Sequence, residues 1–173
     1  MVDLIGRYEY GMKTRLYEIV NTLVRGNRLT GAQRAAYVHD VKSVDILAPL
    51  MPGKMLNAAV NFYTHVGETG TAEEQKIIPY GRDRVDWEVE LGIVMGRTAK
   101  YVPADKAAEH IFGYMVTVDV SDRGGRPPDS RPGSDWFVGK GHDTFAPMGP
   151  WIVPKEFYGD PMKRLRQSLT VDG

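Results

Sequence analysis

The feature of this chain that most constrains its fold is the alternation of apolar side chains with acids or glycine between residues 85 and 93. Apolar residues occupy every odd position from Val85 to Met95, and acids stand at the even positions Asp86, Glu88 and Glu90. Because successive side chains of a β-strand point to opposite faces of a sheet, the alternation predicts a strand. One face of this strand is apolar and the other is acidic.

Other segments predict further strands and an N-terminal helix. Residues 114–121 alternate in the same way, and residues 145–153 and 165–171 are predicted as two more strands. Near the N-terminus, an apolar stripe with helical spacing ends at Gly26, a residue typical of helix ends. The stripe consists of Leu16, Ile19, Val20, Leu23 and Val24.

Helices and strands in separate parts of the chain predict the α+β class. The chain has 173 residues, which corresponds to one domain or one domain with a small appendage. We expect a helical and extended region over residues 1–54 and a sheet-forming domain over residues 55–173. The chain ends in Asp172-Gly173, a dipeptide typical of a tight hairpin turn. The returning strand is absent, so we expect a chain that is truncated at its C-terminal end.

Composition limits the possible functions. The 22 basic and 22 acidic side chains balance, which argues against a nucleic-acid or anionic-membrane partner. The chain has no cysteine, so disulfides, thiolate metal sites and cysteine nucleophiles are excluded. No apolar run reaches the length of about 20 residues that spans a bilayer. We therefore expect a cytoplasmic protein without a membrane partner.

Three acidic side chains from two predicted strands indicate a metal site. Glu88 and Glu90 lie two residues apart and share one strand face, roughly 7 Å apart at the backbone. Asp119 lies on the polar face of the next predicted strand. Carboxylate oxygens suit Mg²⁺, Mn²⁺ or Ca²⁺, and a bound cation offsets their repulsion. The alternative is a solvated strand face, and Asp86 is either a fourth ligand or the solvated end of the strand.

His65 and Glu68 form a second candidate group. Side chains three residues apart on a helical turn are neighbours. A carboxylate beside an imidazole fixes its tautomer and raises its basicity, which suits a general base that activates water. The alternative interpretation is an ordinary surface pair.

Two cations form a third group. Arg123 follows Asp119 by four residues, and Lys140 lies between Gly139 and Gly141, which allow a close approach to a ligand. Arginine and lysine bind substrate carboxylates and stabilise a developing enolate. The alternative interpretation is a pair of unrelated loop cations.

Four segments of the chain carry specific motifs. Residues 61–68 read N-F-Y-T-H-V-G-E, and residues 85–96 read V-D-W-E-V-E-L-G-I-V-M-G. Residues 112–123 read F-G-Y-M-V-T-V-D-V-S-D-R, and residues 139–151 read G-K-G-H-D-T-F-A-P-M-G-P-W. In this order, they resemble the motifs of the fumarylacetoacetate hydrolase family over about residues 56–173.

The resemblance implies a mixed β-sandwich or roll around a metal ion, of the type found in the C-terminal domain of this family, and a homodimer. It implies that Glu88, Glu90 and Asp119 bind Mg²⁺, or Mn²⁺ or Ca²⁺ in its place. The substrates that it implies are 2-oxo acids and 1,3-diketo acids. The implied catalytic residues are His65, Glu68 and Lys140, and the implied substrate-binding residues are Tyr63, Arg123 and Lys140.

The resulting prediction is a hydrolase that cleaves a C–C bond of an acylpyruvate-like 1,3-diketo acid. A decarboxylase, isomerase or hydratase of 2-oxo or 2-hydroxydienoate acids is the first alternative, since it would use the same metal site. A non-catalytic subunit is the second. The family often has glutamine where this chain has Arg126, and the junction between Gln75 and Lys76 is abrupt. The first departure leaves the exact substrate open, and the second leaves open whether residues are missing at this junction.

Overall fold

The structure is a computed structural model that describes residues 1–58, 85–122 and 136–173. Its described part contains helices near the N-terminus and a three-stranded sheet. This mixed content agrees with the predicted α+β class, while the β-sandwich or roll stays a prediction. Among the described residues, no helix is both long and apolar enough to cross a bilayer.

Two helices form the N-terminal part. Helix α1 covers Val2–Arg7 and helix α2 covers Met12–Arg25, and Gly11 between them has a φ of 101°, which glycine adopts readily. Helix α2 ends at Gly26, as predicted, where the Gly26 amide donates to the Thr22 carbonyl at 3.0 Å.

The apolar stripe of α2 is only partly covered by the rest of the described protein. Leu23 is buried, and Leu16 packs against the buried cluster of Ile5, Tyr8, Val94 and Phe112. Val20 and Val24 are 50% and 56% exposed. The helical period therefore predicted the element correctly but not which apolar residues become buried.

Three strands form the sheet in the order β1-β2-β3: β1 covers Val85–Met95, β2 covers Ile111–Asp122 and β3 covers Val153–Pro154. The amide of Gly96, just after β1, donates to the carbonyl of His110, just before β2, at 2.8 Å. The end of β1 therefore meets the start of β2, and the two strands run antiparallel.

Strands β2 and β3 are also antiparallel, with Gly113 opposite Pro154 and Tyr114 opposite Val153. The predicted strand over residues 145–153 is mostly wrong, since only Val153 of this range belongs to a strand. Thr144, just before this range, and Ala146, its second residue, have φ values of 70° and 56°, which interrupt an extended backbone.

The predicted strand over residues 165–171 is also wrong, because these residues form neither strand nor helix. Short helices occupy much of the C-terminal part instead: α3 over Trp136–Lys140, α4 over Lys155–Tyr158 and α5 over Pro161–Arg164. The Asp160 carboxylate caps α5 by accepting a hydrogen bond from the Met162 amide at 3.0 Å.

The chain forms two compact units, and each long strand contributes residues to both. The first unit comprises Met1–Leu50, Leu91–Val116 and Met148–Arg166, and it contains the buried cluster around Phe112. The second unit comprises Met51–Glu90, Thr117–Pro147 and Gln167–Gly173, and it contains the predicted acidic site. The division into residues 1–54 and 55–173 stays a prediction.

Candidate functional site

Strand β1 places two glutamates on the same face. Glu88 and Glu90 are both half-buried near the start of this strand, and the odd positions carry its apolar side chains. The acidic face predicted by the alternation is therefore present in the structure.

Strand β2 brings a third carboxylate to these two. Asp119 is 8% exposed, and one carboxylate oxygen from each of Glu88, Glu90 and Asp119 lies within 4.8 Å of the others. We call these three residues the carboxylate cluster. Oxygens that share one hard cation at about 2.0–2.6 Å lie at most about 5 Å apart, so the donor set and its spacing fit such an ion.

The electrostatics of the cluster also favour a cation. Burial raises the pKa of Glu90 above its ordinary value, and the neighbouring charges of Asp119 and Glu88 raise it further. Lys140 acts in the opposite direction and lowers it. Burial contributes most to the raised pKa, and the two neighbouring carboxylates contribute part of it, which a bound cation would offset.

Helix α3 ends at Lys140 and carries its ammonium group to the cluster. Lys140 Nζ forms an ion pair with Asp119 Oδ2, and the same nitrogen lies 5.6 Å from the centroid of the Trp136 ring. A Cβ atom at Gly141 would lie 2.5 Å from the Phe137 carbonyl oxygen. The glycine after Lys140 is therefore required by the tight backbone at this point.

A histidine after α3 lies against the end of β2. His142 Nε2 is 3.4 Å from Asp122 Oδ2, and its ring packs edge-on against Phe145 with 5.0 Å between ring centroids. A Cβ atom at Gly139 would lie 3.1 Å from the Asp122 carbonyl oxygen, so the end of α3 closely approaches the strand.

The structure thus brings together four of the predicted site residues. They are Glu88, Glu90, Asp119 and Lys140. Asp86 does not join the carboxylate cluster in the described part of the chain; its carboxylate accepts a hydrogen bond from the Trp87 amide at 2.9 Å. The predicted roles of Tyr63, His65, Glu68 and Arg123 stay predictions, because these residues lie outside the described residues.

Two features of the site were missed by the sequence interpretation. Lys140 was expected to contact substrate, and its ion pair with Asp119 was not anticipated. Trp136 received no role, although it precedes Lys140 by four residues, a spacing that places both on one side of a helix. The sequence does not indicate this short helix, because Gly139 and Gly141 on either side of Lys140 predict a loop.

The family follows from a comparison with known proteins. The sequence profile described as Fumarylacetoacetate (FAA) hydrolase C-terminal matches residues 32–173. The chain belongs to this family. The resemblance predicted from the four motifs is therefore confirmed, and so is the assignment to a family that contains enzymes.

Individual relatives in the fumarylacetoacetate hydrolase family are similar to part of the chain. The 2,4-didehydro-3-deoxy-L-rhamnonate hydrolase of Sphingomonas sp. (strain SKA58) is 41% identical over 100 residues, which are 58% of this chain and 34% of that protein. A relative from Burkholderia ambifaria is 37% identical over 139 residues, which are 70% of this chain and 48% of that protein. The chain thus spans between about a third and a half of these relatives.

Two solved structures also match in part. The 5-carboxymethyl-2-hydroxymuconate delta-isomerase from Mycobacterium smegmatis is 48% identical with a TM-score of 0.39, and the match covers 49% of this chain and 31% of that chain. The 2-hydroxyhepta-2,4-diene-1,7-dioate isomerase from Mycobacterium marinum is 42% identical with a TM-score of 0.39 over the same shares, 49% and 31%.

Proposed function

We propose that this protein is a metal-dependent hydrolase that cleaves a carbon–carbon bond of an acylpyruvate-like 1,3-diketo acid. In this proposal the carboxylate cluster of Glu88, Glu90 and Asp119 holds a divalent cation, Mg²⁺ or, in its place, Mn²⁺ or Ca²⁺. The observation that carries the proposal is the convergence of three carboxylates in a chain of the fumarylacetoacetate hydrolase family. When bound, the ion supplies Lewis-acid polarisation of the substrate oxygens.

The choice of a diketo acid is supported by the chemistry in the name of one relative. A 2,4-didehydro-3-deoxy sugar acid, as in the name of the Sphingomonas hydrolase, has oxidised carbons 2 and 4 on either side of a deoxygenated carbon 3. This is the 1,3-diketo pattern of an acylpyruvate. The substrate of the present protein would share that pattern, whatever group lies beyond carbon 4.

Lys140 would bind the negative charge of the substrate and product. Its ammonium group is at the carboxylate cluster and its side chain is only 24% exposed, so solvent screens its charge only partly. A cation in this position attracts the substrate carboxylate and stabilises the negative charge that develops on the departing fragment. Arg123 and Tyr63 would add further contacts with the acid.

The water would be activated by His65, with Glu68 holding the imidazole ring. His65 takes a proton from the water, whose oxygen adds to the carbonyl carbon farther from the substrate carboxylate. The bond between that carbon and the adjacent methylene then breaks, and the electron pair leaves with the pyruvate fragment as an enolate. A proton returned to this fragment completes the reaction, which consumes one water and yields a carboxylic acid and pyruvate.

The proposed partner is thus a small acid, and the proposed assembly is the homodimer that the family resemblance implies. Sedimentation velocity of the protein tests the dimer directly, with a single species of twice the mass of 19.3 kDa as the expected result. A monomer over the micromolar range would contradict it.

A substrate screen tests the reaction. Metal-free protein is loaded with Mg²⁺ or Mn²⁺ and incubated with acylpyruvates, oxaloacetate and hydroxymuconate-type acids, and the products are identified by NMR. Hydrolysis yields two acids and consumes one water, decarboxylation releases CO₂, and isomerisation leaves the elemental composition unchanged. The expected result is hydrolysis of an acylpyruvate.

The other outcomes of the screen separate the alternatives. Turnover of oxaloacetate or of the hydroxymuconate-type acids alone would favour the decarboxylase or isomerase alternative at the same site. Metal binding without turnover of any acid would favour a non-catalytic subunit. When a variant of the carboxylate cluster is assayed, Glu18→Gln is its control, because it also removes one carboxylate, an exposed one on α2.

A further inference from the structure

Lys140 is a cation of the protein itself that is already paired with the proposed metal site. Its Nζ forms an ion pair with Asp119 Oδ2. Its positive charge also acts to lower the pKa of Glu90 through space. Two of the three residues of the carboxylate cluster therefore experience the charge of Lys140.

The side chain of Lys140 is restrained in this position. The Trp136 ring, one helical turn earlier, lies 5.6 Å from the ammonium nitrogen, which is within the range of a cation–π contact. Asp119 is 8% exposed and Lys140 24% exposed in their side chains. An ion pair that is this well covered is screened less by solvent than a surface pair, so breaking it has a measurable cost.

A divalent ion and this ammonium group make opposing demands on the cluster. Three ionised carboxylates carry three negative charges, and Lys140 reduces the net charge of the group to minus two. An ion that takes a ligand oxygen from Asp119 meets a positive charge within hydrogen-bond distance of the same carboxylate. Like charges repel at such separations, and partial burial increases the repulsion.

We propose that Lys140 is an internal counter-ion of the carboxylate cluster, which competes with the divalent ion for Asp119 and leaves Asp119 when the ion binds. The inference rests on the proposed metal site. It gives Lys140 two successive partners: Asp119 before the ion binds, and the carboxylate of the acid substrate afterwards. The ion would therefore bind before the substrate, because its arrival releases the ammonium group that the substrate needs.

The experiment is a calorimetric titration of Mn²⁺ into metal-free protein at one fixed neutral pH. The wild type is compared with two neutral variants, Lys140→Met and Lys140→Gln, and with Lys140→Arg, which keeps the charge. Lys163→Met is the matched control, because Lys163 also lies near an aspartate, 3.8 Å from Asp160, but is 83% exposed and has no part in the cluster.

We expect both neutral variants to bind Mn²⁺ at least about tenfold more tightly than the wild type, a change of about 1.4 kcal/mol. Lys140→Arg and Lys163→Met are expected to show no such gain. Neutral variants that bind Mn²⁺ as the wild type does, or more weakly, would overturn the inference, and so would an equal gain in Lys163→Met. A wild type that binds no Mn²⁺ at all would instead contradict the proposed metal site.

Discussion

Glu90 is a carboxylate whose surroundings oppose its negative charge. It is half-buried on β1, and both other members of the carboxylate cluster, Asp119 and Glu88, raise its pKa in addition to the effect of burial. A carboxylate in this situation is disfavoured in its charged form, and a divalent cation would relieve the conflict. The same residue therefore reports on the metal site and on the stability of the metal-free protein.

Replacement of Glu90 with glutamine is expected to abolish activity and leave the fold largely intact. Glutamine has nearly the same shape but no charge, so the proposed ion loses one of three anionic ligands. Loss of an outer partner of a metal ligand typically costs 10–100-fold, and we expect Glu90→Gln to lower kcat/KM by at least about 100-fold. Steady-state assays with Mn²⁺ measure the change, and circular dichroism checks the fold. Normal turnover in this variant would refute the metal assignment.

The raised pKa of Glu90 also predicts how stability depends on pH. Since the pKa of this acid in the folded state lies above its ordinary value of 4.5, the folded state binds more protons than the unfolded state between the two values. Stability is then lost as pH rises through this window. In EDTA, we expect the wild type to lose stability relative to Glu90→Gln as pH rises from about 4.5 towards neutrality.

Urea unfolding of both proteins at a series of pH values measures this difference. Glu18→Gln is the control for removal of an exposed carboxylate, and it should show no comparable trend relative to the wild type. A stability difference between wild type and Glu90→Gln that stays constant over the whole series would show that Glu90 is not perturbed in the folded protein.

At the scale of elements, a hydrogen-bonded group holds the N-terminal helices to the segment that contains α4. Tyr8 Oη donates to Glu156 Oε1 at 2.7 Å, and Lys13 Nζ lies 2.9 Å from the same oxygen. Burial raises the pKa of Tyr8, and its hydrogen bond to Glu156 raises it further. Although burial acts to raise the pKa of Glu156, hydrogen bonds from Tyr8 and Lys13 hold it below its ordinary value.

We expect Tyr8→Phe to destabilise the protein by about 1 kcal/mol, the typical net worth of one hydrogen bond. The change removes only the hydroxyl, so the edge-on contact between the rings at positions 8 and 112, with centroids 4.9 Å apart, is kept. Urea unfolding measures the loss. Tyr10→Phe is the matched control, because Tyr10 is 76% exposed and its substitution should change stability by less than about 0.5 kcal/mol.

The pairing of β2 with β3 depends on a glycine. A Cβ atom at Gly113 would lie 2.9 Å from the Val153 carbonyl carbon and 3.0 Å from the Pro154 Cα. Both are backbone atoms, which move aside less readily than the end of a flexible side chain. We expect Gly113→Ala to cost about 1–3 kcal/mol. Gly6→Ala provides the contrast, because nothing lies within 4 Å of its Cβ position in helix α1, and alanine there should stabilise by up to about 1 kcal/mol. Equal effects of the two substitutions in thermal unfolding would contradict this assignment.

The sequence predicted the bounds of β1 well and those of β2 less well. Strand β1 has the predicted bounds, Val85–Met95, because apolar residues occupy every odd position along it. Strand β2 was predicted to begin at Tyr114 but begins at Ile111. Phe112, Gly113 and Tyr114 are all buried, and alternation of polarity is lost where both faces of a strand are covered.

The site was predictable to the extent that it depends on strand parity. Glu88, Glu90 and Asp119 were inferred from positions on two strand faces, and their convergence follows from the pairing of β1 with β2. The ion pair of Lys140 with Asp119 was not predictable, because no sequence period relates a residue on α3 to a residue on β2. The position of a charge on a short helix is set by tertiary structure alone.

At the scale of the whole molecule, the proposed metal site links two strands that follow one another in the chain, β1 and β2. A ligand that binds the folded state and not the unfolded state stabilises the fold by mass action. The carboxylate cluster exists only when β1 and β2 are paired, since its members come from both strands. Binding of a divalent cation should therefore stabilise the folded protein as a whole.

We expect Mn²⁺ at about 100 times its Kd to stabilise the wild type by about 2.7 kcal/mol, which raises the Tm by about 5–11 °C for a chain of this size. Differential scanning calorimetry with and without Mn²⁺ measures the shift, and EDTA should reverse it. Glu90→Gln should lose most of the shift, while Glu18→Gln should keep it, because both remove one carboxylate but only the first alters the cluster. A Tm of the wild type that is insensitive to Mn²⁺ would mean that the convergence of Glu88, Glu90 and Asp119 does not create a metal site, since an ion held by ligands from two paired strands cannot bind without opposing their separation.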